Sequence, residues 1–161
     1  MKKALIILTA AALVLLSSCR PWHEEVYFDT PFVSIVAEGG QNSEMVVDKE
    51  ANNLLTALTV TLCASNTYFT EPVTVDYEVI CGNGLKQGVD FEIQSSTKSP
   101  LTFDLGTYKK TIRILWYRNS SFDPNADNTL TIKLCGSSIP QMVFGYPGPD
   151  ALHSSFIFTK Q

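Results

Sequence analysis

From Phe32 to the C-terminus the chain alternates apolar and polar residues in short runs, and Leu58-Thr59-Val60-Thr61-Leu62 shows the pattern most cleanly. A period of two puts successive side chains on opposite faces, so each run predicts a strand with one buried face. The runs fall at residues 32–37, 45–48, 56–62, 73–80, 91–93, 101–104, 111–116, 129–134 and 154–159. Gly39-Gly40, Gly82-Asn83-Gly84, Pro124-Asn125 and Pro147-Gly148-Pro149 punctuate them as turns. No stretch keeps helical spacing over three turns. Residues 48–58 come nearest, but Lys49-Glu50-Ala51-Asn52-Asn53 reads better as a polar turn. The expected fold is all-β, a single Greek-key β-sandwich over residues 32–161.

The pattern ahead of Phe32 is of another kind. Lys2 and Lys3 precede the apolar residues 4–16, and the run closes on Leu16-Ser17-Ser18-Cys19. This run of 13 residues, apolar but for Thr9, falls short of the roughly 20 that a spanning helix needs. A basic start, an apolar middle and a small-residue end are the layout of a cleaved secretory signal. The last four residues resemble the bacterial lipobox, which implies acylation of Cys19, cleavage between Ser18 and Cys19, and a signal peptide over residues 1–18. Residues 19–31, with Pro21, Pro31 and His23-Glu24-Glu25, then read as acylated N-terminus and tether, carrying at most a short strand at 26–28. Arg20 follows the cysteine where an inner-membrane retention signal would place Asp, so the expected address is the outer membrane. The sequence leaves open whether the periplasmic or the cell-surface side is meant.

Charge narrows the partners. The whole chain carries a formal −4, and removal of Lys2 and Lys3 with the signal takes residues 19–161 to −6. Lysines and arginines are dispersed, with Lys109-Lys110 the only adjacent pair beyond the signal, so nucleic acid is not an expected partner. Cys63, Cys81 and Cys135 make an odd number of thiols in an export pathway. Alternation points Cys81 inward and Cys63 and Cys135 outward, a poor disposition for a disulfide. No close-spaced Cys or His suggests structural zinc. Gly-x-Ser-x-Gly is missing, and the sole nucleophile and base with any prospect of meeting are Cys135 and His153, across the last hairpin. No cofactor is expected.

The stretch from Val73 to Leu134 resembles the Calx-beta family of immunoglobulin-like sandwiches. The resemblance is carried by Val73-Thr-Val-Asp-Tyr77, Gly88-Val-Asp-Phe91, Phe103-Asp-Leu-Gly106, Lys110-Thr-Ile-Arg-Ile114 and Thr129-Leu-Thr-Ile-Lys-Leu134, with Val46-Val-Asp-Lys-Glu50 and Leu58-Thr-Val-Thr-Leu62 upstream. It covers about two-thirds of residues 19–161 and implies an immunoglobulin-like, Calx-beta-like fold. Members that bind Ca²⁺ gather carboxylates at one end of the sandwich, because the ion takes six to eight oxygen ligands. Glu50 and Asp90 match two such positions. The others are replaced by Gly82-Asn83-Gly84 and by Trp116-Tyr117-Arg118-Asn119, so the expectation is a sandwich without a metal. The chain is also similar to small lipoproteins of Bacteroidetes-type bacteria that accompany glycan-uptake machinery, a likeness that carries no site residues.

Aromatics on the loops remain: Tyr68-Phe69, Trp116-Tyr117, Phe122 and Phe144-x-Tyr146. Tyr and Trp give large contact at low entropic cost. Alternation over Thr111-Ile-Arg-Ile-Leu-Trp116 turns Trp116 inward and leaves Tyr117 and Phe122 freer, so Tyr117, Phe122 and Tyr146 are the candidate ligand contacts. The expected function is a non-catalytic binding or accessory lipoprotein, tethered to the membrane, that meets a glycan or protein in uptake or adhesion. A structural envelope or spacer subunit is the alternative, and a thiol enzyme using Cys135 and His153 comes last.

Overall fold

The computed structural model describes residues 30–64 and 69–161. Cys19, the signal, most of the tether, the expected strand at 26–28 and Tyr68 lie outside the described residues. The described chain is all-β, with ten strands and a single 3₁₀ turn: β1 (Phe32–Ala37), β2 (Glu44–Val47), β3 (Leu54–Cys63), β4 (Val73–Cys81), β5 (Phe91–Ile93), β6 (Leu101–Phe103), β7 (Lys109–Trp116), β8 (Thr129–Ser137), β9 (Val143–Phe144) and β10 (Ser155–Lys160). They form two five-stranded sheets, ordered β5-β7-β3-β1-β9 and β2-β10-β8-β4-β6. The arrangement is β-sandwich-like.

Period-two alternation builds the core between the sheets. Val33 and Ile35, Leu58 and Val60, and Ile112, Ile114 and Trp116 supply one inner face. The other consists of Val73 and Val75, Leu101 and Phe103, Leu130 and Ile132, and Phe156 and Phe158. Each fully buried Leu, Ile or Phe side chain stabilises the fold by roughly 1.5–3 kcal/mol relative to exposure. The threonines between them stay on the outer faces, which is why β3 could be read so easily from its sequence.

Three features departed from simple alternation. β9 pairs in parallel with β1 over only two residues, Phe32 with Val143 and Val33 with Phe144, too short a run to show a period. A β-bulge interrupts the β4–β8 ladder: Asp76 pairs with Gly136 and Tyr77 with Leu134, so Cys135 is the extra residue. Cys81 lies opposite buried Leu130, the inward side that alternation assigns it, and yet is exposed. The cause is the sheet edge, since β6 flanks β4 only from Val73 to Val75 and leaves its last residues unflanked on that side.

The register also fixes two ends. Leu54 pairs with Trp116 at one end of β3, and Phe32 pairs with Cys63 at the other. Ten residues of β3 separate these ends by about 30 Å at roughly 3.4 Å per residue. The chain therefore leaves its N-terminal segment at one end and presents the loop after Trp116 at the opposite one.

Candidate functional site

The end of the sandwich at Trp116 is organised around a buried polar group. Along β10 the side chains of Phe156, Phe158 and Lys160 are in phase, so the penultimate residue of the chain turns a lysine into the core. Its Nζ donates to Asp90 Oδ1 at 3.0 Å and to the carbonyl of Tyr117 at 2.7 Å. Both charged residues are 1% exposed. Burial of an ion costs several kcal/mol and is tolerated only when partners replace its water. Here they do. Asp90 Oδ1 also accepts from Asn119 Nδ2 at 3.0 Å, and its Oδ2 accepts from the Lys86 backbone N–H at 3.0 Å.

Short-range chain geometry delivers each of these groups. Asp90 is held in the turn before β5, where its own N–H donates to the Lys86 carbonyl and its carbonyl accepts from the Tyr117 N–H. Gly88, at φ 82°, permits that turn. Asn119 bends the loop after β7 by accepting from the Ser121 N–H at 2.9 Å, which leaves its amide nitrogen for Asp90. The Phe122 ring caps the lysine, with its centroid 5.7 Å from Nζ, a cation–π contact. Beneath them Trp116 is fully buried, packs against Phe91 and Phe158, and donates from Nε1 to Thr56 Oγ1 at 2.9 Å.

Glycines let the neighbouring loops meet. A Cβ on Gly82 would collide with the backbone oxygen of Asp127, and one on Gly84 with Asn128 Oδ1. The Asp127 N–H donates to Asn83 Oδ1 at 2.9 Å, which ties the same two loops together. No protein-family model matches this chain, and no curated protein does. Its site must therefore be read from its own residues.

The two carboxylates matched to calcium positions are both engaged by cations of the protein. Asp90 faces Lys160, and Glu50 pairs with Arg118 at 2.8 Å. Among the described residues no three His, Cys, Asp or Glu side chains gather as metal ligands would. A divalent ion at this end would have to displace an ammonium and a guanidinium.

The three candidate contact residues do not assemble. Tyr117 is partly exposed, and its hydroxyl donates to Glu92 Oε2 at 3.2 Å. Desolvation, followed by the hydrogen bond and charge of Glu92, raises the pKa of that phenol. Phe122 is half-buried over Lys160, so it serves as a cover as well as a surface. Tyr146 lies elsewhere, edge-on to Phe32 and His153 with ring centroids 6.0 and 4.6 Å away. Phe32 belongs to the end opposite Trp116, so Tyr146 shares no surface with Tyr117.

The imidazole of His153 is hydrogen-bonded to a partner other than Cys135. His153 Nδ1 is hydrogen-bonded to Ser43 Oγ at 2.8 Å, and its ring packs on Tyr146. Cys135, in the bulge, has its thiol pKa raised by desolvation and by Glu78 and Asp76. Desolvation likewise raises Cys63 and Cys81, and all three thiols are free. A nucleophilic cysteine needs the opposite shift.

Lys160 and Asn119 were absent from the residues singled out by sequence. One signal was available for the lysine, namely its phase with Phe156 and Phe158. Asn119 had none, because its role depends on a loop conformation.

Proposed function

We propose that this chain is an outer-membrane lipoprotein, acylated at Cys19, whose immunoglobulin-like, Calx-beta-like Greek-key sandwich is a non-catalytic binding or accessory module. Its contact surface is the loop that follows Trp116, with Tyr117 at its centre, and its partner is a glycan or a protein at the cell envelope. The observation that carries this reading is the separation of the two ends. The tether joins at Phe32, while Tyr117 lies at the far end of the strands, so an anchored domain holds this loop away from the bilayer. Glu92 holds the Tyr117 hydroxyl, which limits the ring's freedom and lowers the entropy lost on contact. The raised thiols and the engagement of His153 by Ser43 support a role without catalysis.

Two variants of the full chain test the reading. Cys19→Ser should fail to incorporate palmitate and should leave the membrane fraction. Tyr117→Ala should keep the wild-type unfolding temperature and lose binding in a glycan array or in crosslinking on intact cells. Palmitate uptake by Cys19→Ser would remove the anchor from the proposal, and undiminished binding by Tyr117→Ala would move the contact surface elsewhere.

A further inference from the structure

The ammonium of Lys160, the carboxylate of Asp90 and the carboxamide of Asn119 meet at a single atom. Nζ and Nδ2 each lie 3.0 Å from Asp90 Oδ1, so the amine and the amide are separated by no more than two hydrogen-bond lengths. Lys160 and Asp90 are buried, Phe122 covers Nζ, and the Phe91, Trp116 and Phe158 rings beside them are fully buried. A buried amine, a half-buried primary amide and a buried carboxylate that hydrogen-bonds both are the reactants and the proton carrier for transamidation. We infer that Lys160 and Asn119 are joined by an intramolecular amide bond that the folded domain forms by itself, with Asp90 as the catalytic residue.

The step balances without any co-reactant. Asp90 Oδ1 takes a proton from Nζ along their hydrogen bond, and the freed amine attacks Asn119 Cγ. The Nζ–Cγ bond forms, the Cγ–Nδ2 bond breaks, and Nδ2 departs as ammonia. Of the three protons on the ammonium, one stays on the new amide, one reaches the leaving nitrogen through Asp90, and the third stays on Asp90 or leaves as ammonium. No oxidation state changes. The Tyr117 carbonyl, which accepts from Nζ at 2.7 Å, orients the amine during attack and afterwards. Asp90 Oδ2 is fixed by the Lys86 N–H, so the carboxylate does not rotate away. The bond would tie the last strand of the domain to the loop after β7, at the end that carries Tyr117.

Peptide mass spectrometry of the full-length protein, purified from membranes and digested with trypsin after unfolding, tests the inference directly. Trypsin cannot cut after an acylated Lys160, so the expected product is Asn119–Lys133 joined to Leu134–Gln161 and lighter than the two together by one ammonia. Lys160→Met and Asn119→Ala should each abolish that species. Asp90→Asn should abolish or greatly slow it while the purified variant keeps the β-sheet circular dichroism and cooperative unfolding of the wild type; a folded Asp90→Asn that still forms the species at the wild-type rate overturns the catalytic role of Asp90. Recovery of unmodified Asn119–Lys133 and of a chain cut normally after Lys160 from the wild type overturns the inference. So does a species lighter by one water with Asp90 as the joined residue, since Asp90 would then be the electrophile. Binding through Tyr117 is measured separately, so either result leaves the proposed function to its own test.

Discussion

Lys160 Nζ and Asp90 Oδ1 stand 3.0 Å apart with both side chains withdrawn from water, and this contact pins the penultimate residue to the turn before β5. The neighbouring backbone reinforces it, because the Gln161 N–H donates to the Val47 carbonyl and the Lys49 N–H to the Gln161 carbonyl. Lys160 and Gln161 are thus part of the packed structure. In the unlinked chain, removal of one partner leaves the other as an uncompensated buried charge. Lys160→Met or Asp90→Leu should each cost at least about 3–5 kcal/mol in chemical denaturation. The double variant should cost less than the two single losses together, since no lone charge remains.

Trp116 and Tyr117 are adjacent and should behave oppositely. Trp116 is fully buried and bonded to Thr56, so Trp116→Ala should cost about 3–5 kcal/mol from lost contacts and the cavity left behind. Tyr117 contributes its carbonyl to Lys160, and any residue supplies that. Tyr117→Ala should therefore move the unfolding midpoint little. Equal losses in the two variants would mean that the Tyr117 ring is also structural.

Gly82 and Gly84 test the close approach of the two loops. Gly84→Ala would drive a methyl group against Asn128 Oδ1, and Gly82→Ala would drive one against the Asp127 backbone. Each should cost about 1–3 kcal/mol through overpacking. Gly39 has open space around it and a φ of 73°, so Gly39→Ala meets only backbone strain of roughly 1–2 kcal/mol. Thermal melts of the three variants compare steric with conformational cost.

Tyr77 supplies a pH dependence with a definite sign. Its hydroxyl donates to the Thr97 carbonyl at 2.6 Å, and desolvation is the main cause that pushes its pKa up from 10 to about 12. Between those values the unfolded chain gives up the phenolic proton and the folded one keeps it. Stability from this group is therefore complete below pH 10 and is lost as the pH rises toward about 12. Tyr77→Phe should flatten the fall across that window, and should cost about 1 kcal/mol at neutral pH for the lost hydrogen bond. Urea titrations at neutral and alkaline pH, compared between wild type and variant, check both parts.

Much of this was legible in the residues themselves. Runs such as Leu58-Thr-Val-Thr-Leu62 announce their conformation because burial on one face imposes period two on the composition, and β1 and β5 were read to the residue. Trp116 was assigned inward by the same rule, and its burial agrees. Parity, however, says which face a residue occupies and not whether anything covers that face. Cys81 is the example, inward by register and exposed because β6 ends early. Two-residue β9 and the bulge at Cys135 left no period to detect.

The sequence by itself determined the all-β class, most strand positions and the identity of the core faces, since these follow from local alternation and the cost of exposing apolar surface. It did not determine the site. Asp90, Asn119 and Lys160 are separated by 29 and 41 positions, and only the packing of a turn, a loop and the last strand at one end of the two sheets brings them to one oxygen atom. Likewise Phe122 and Tyr146 looked alike as loop aromatics, yet one covers a buried ammonium and the other packs on Phe32 at the far end. Which polar groups share a buried space depends on contacts distant in the chain, and no local pattern encodes them.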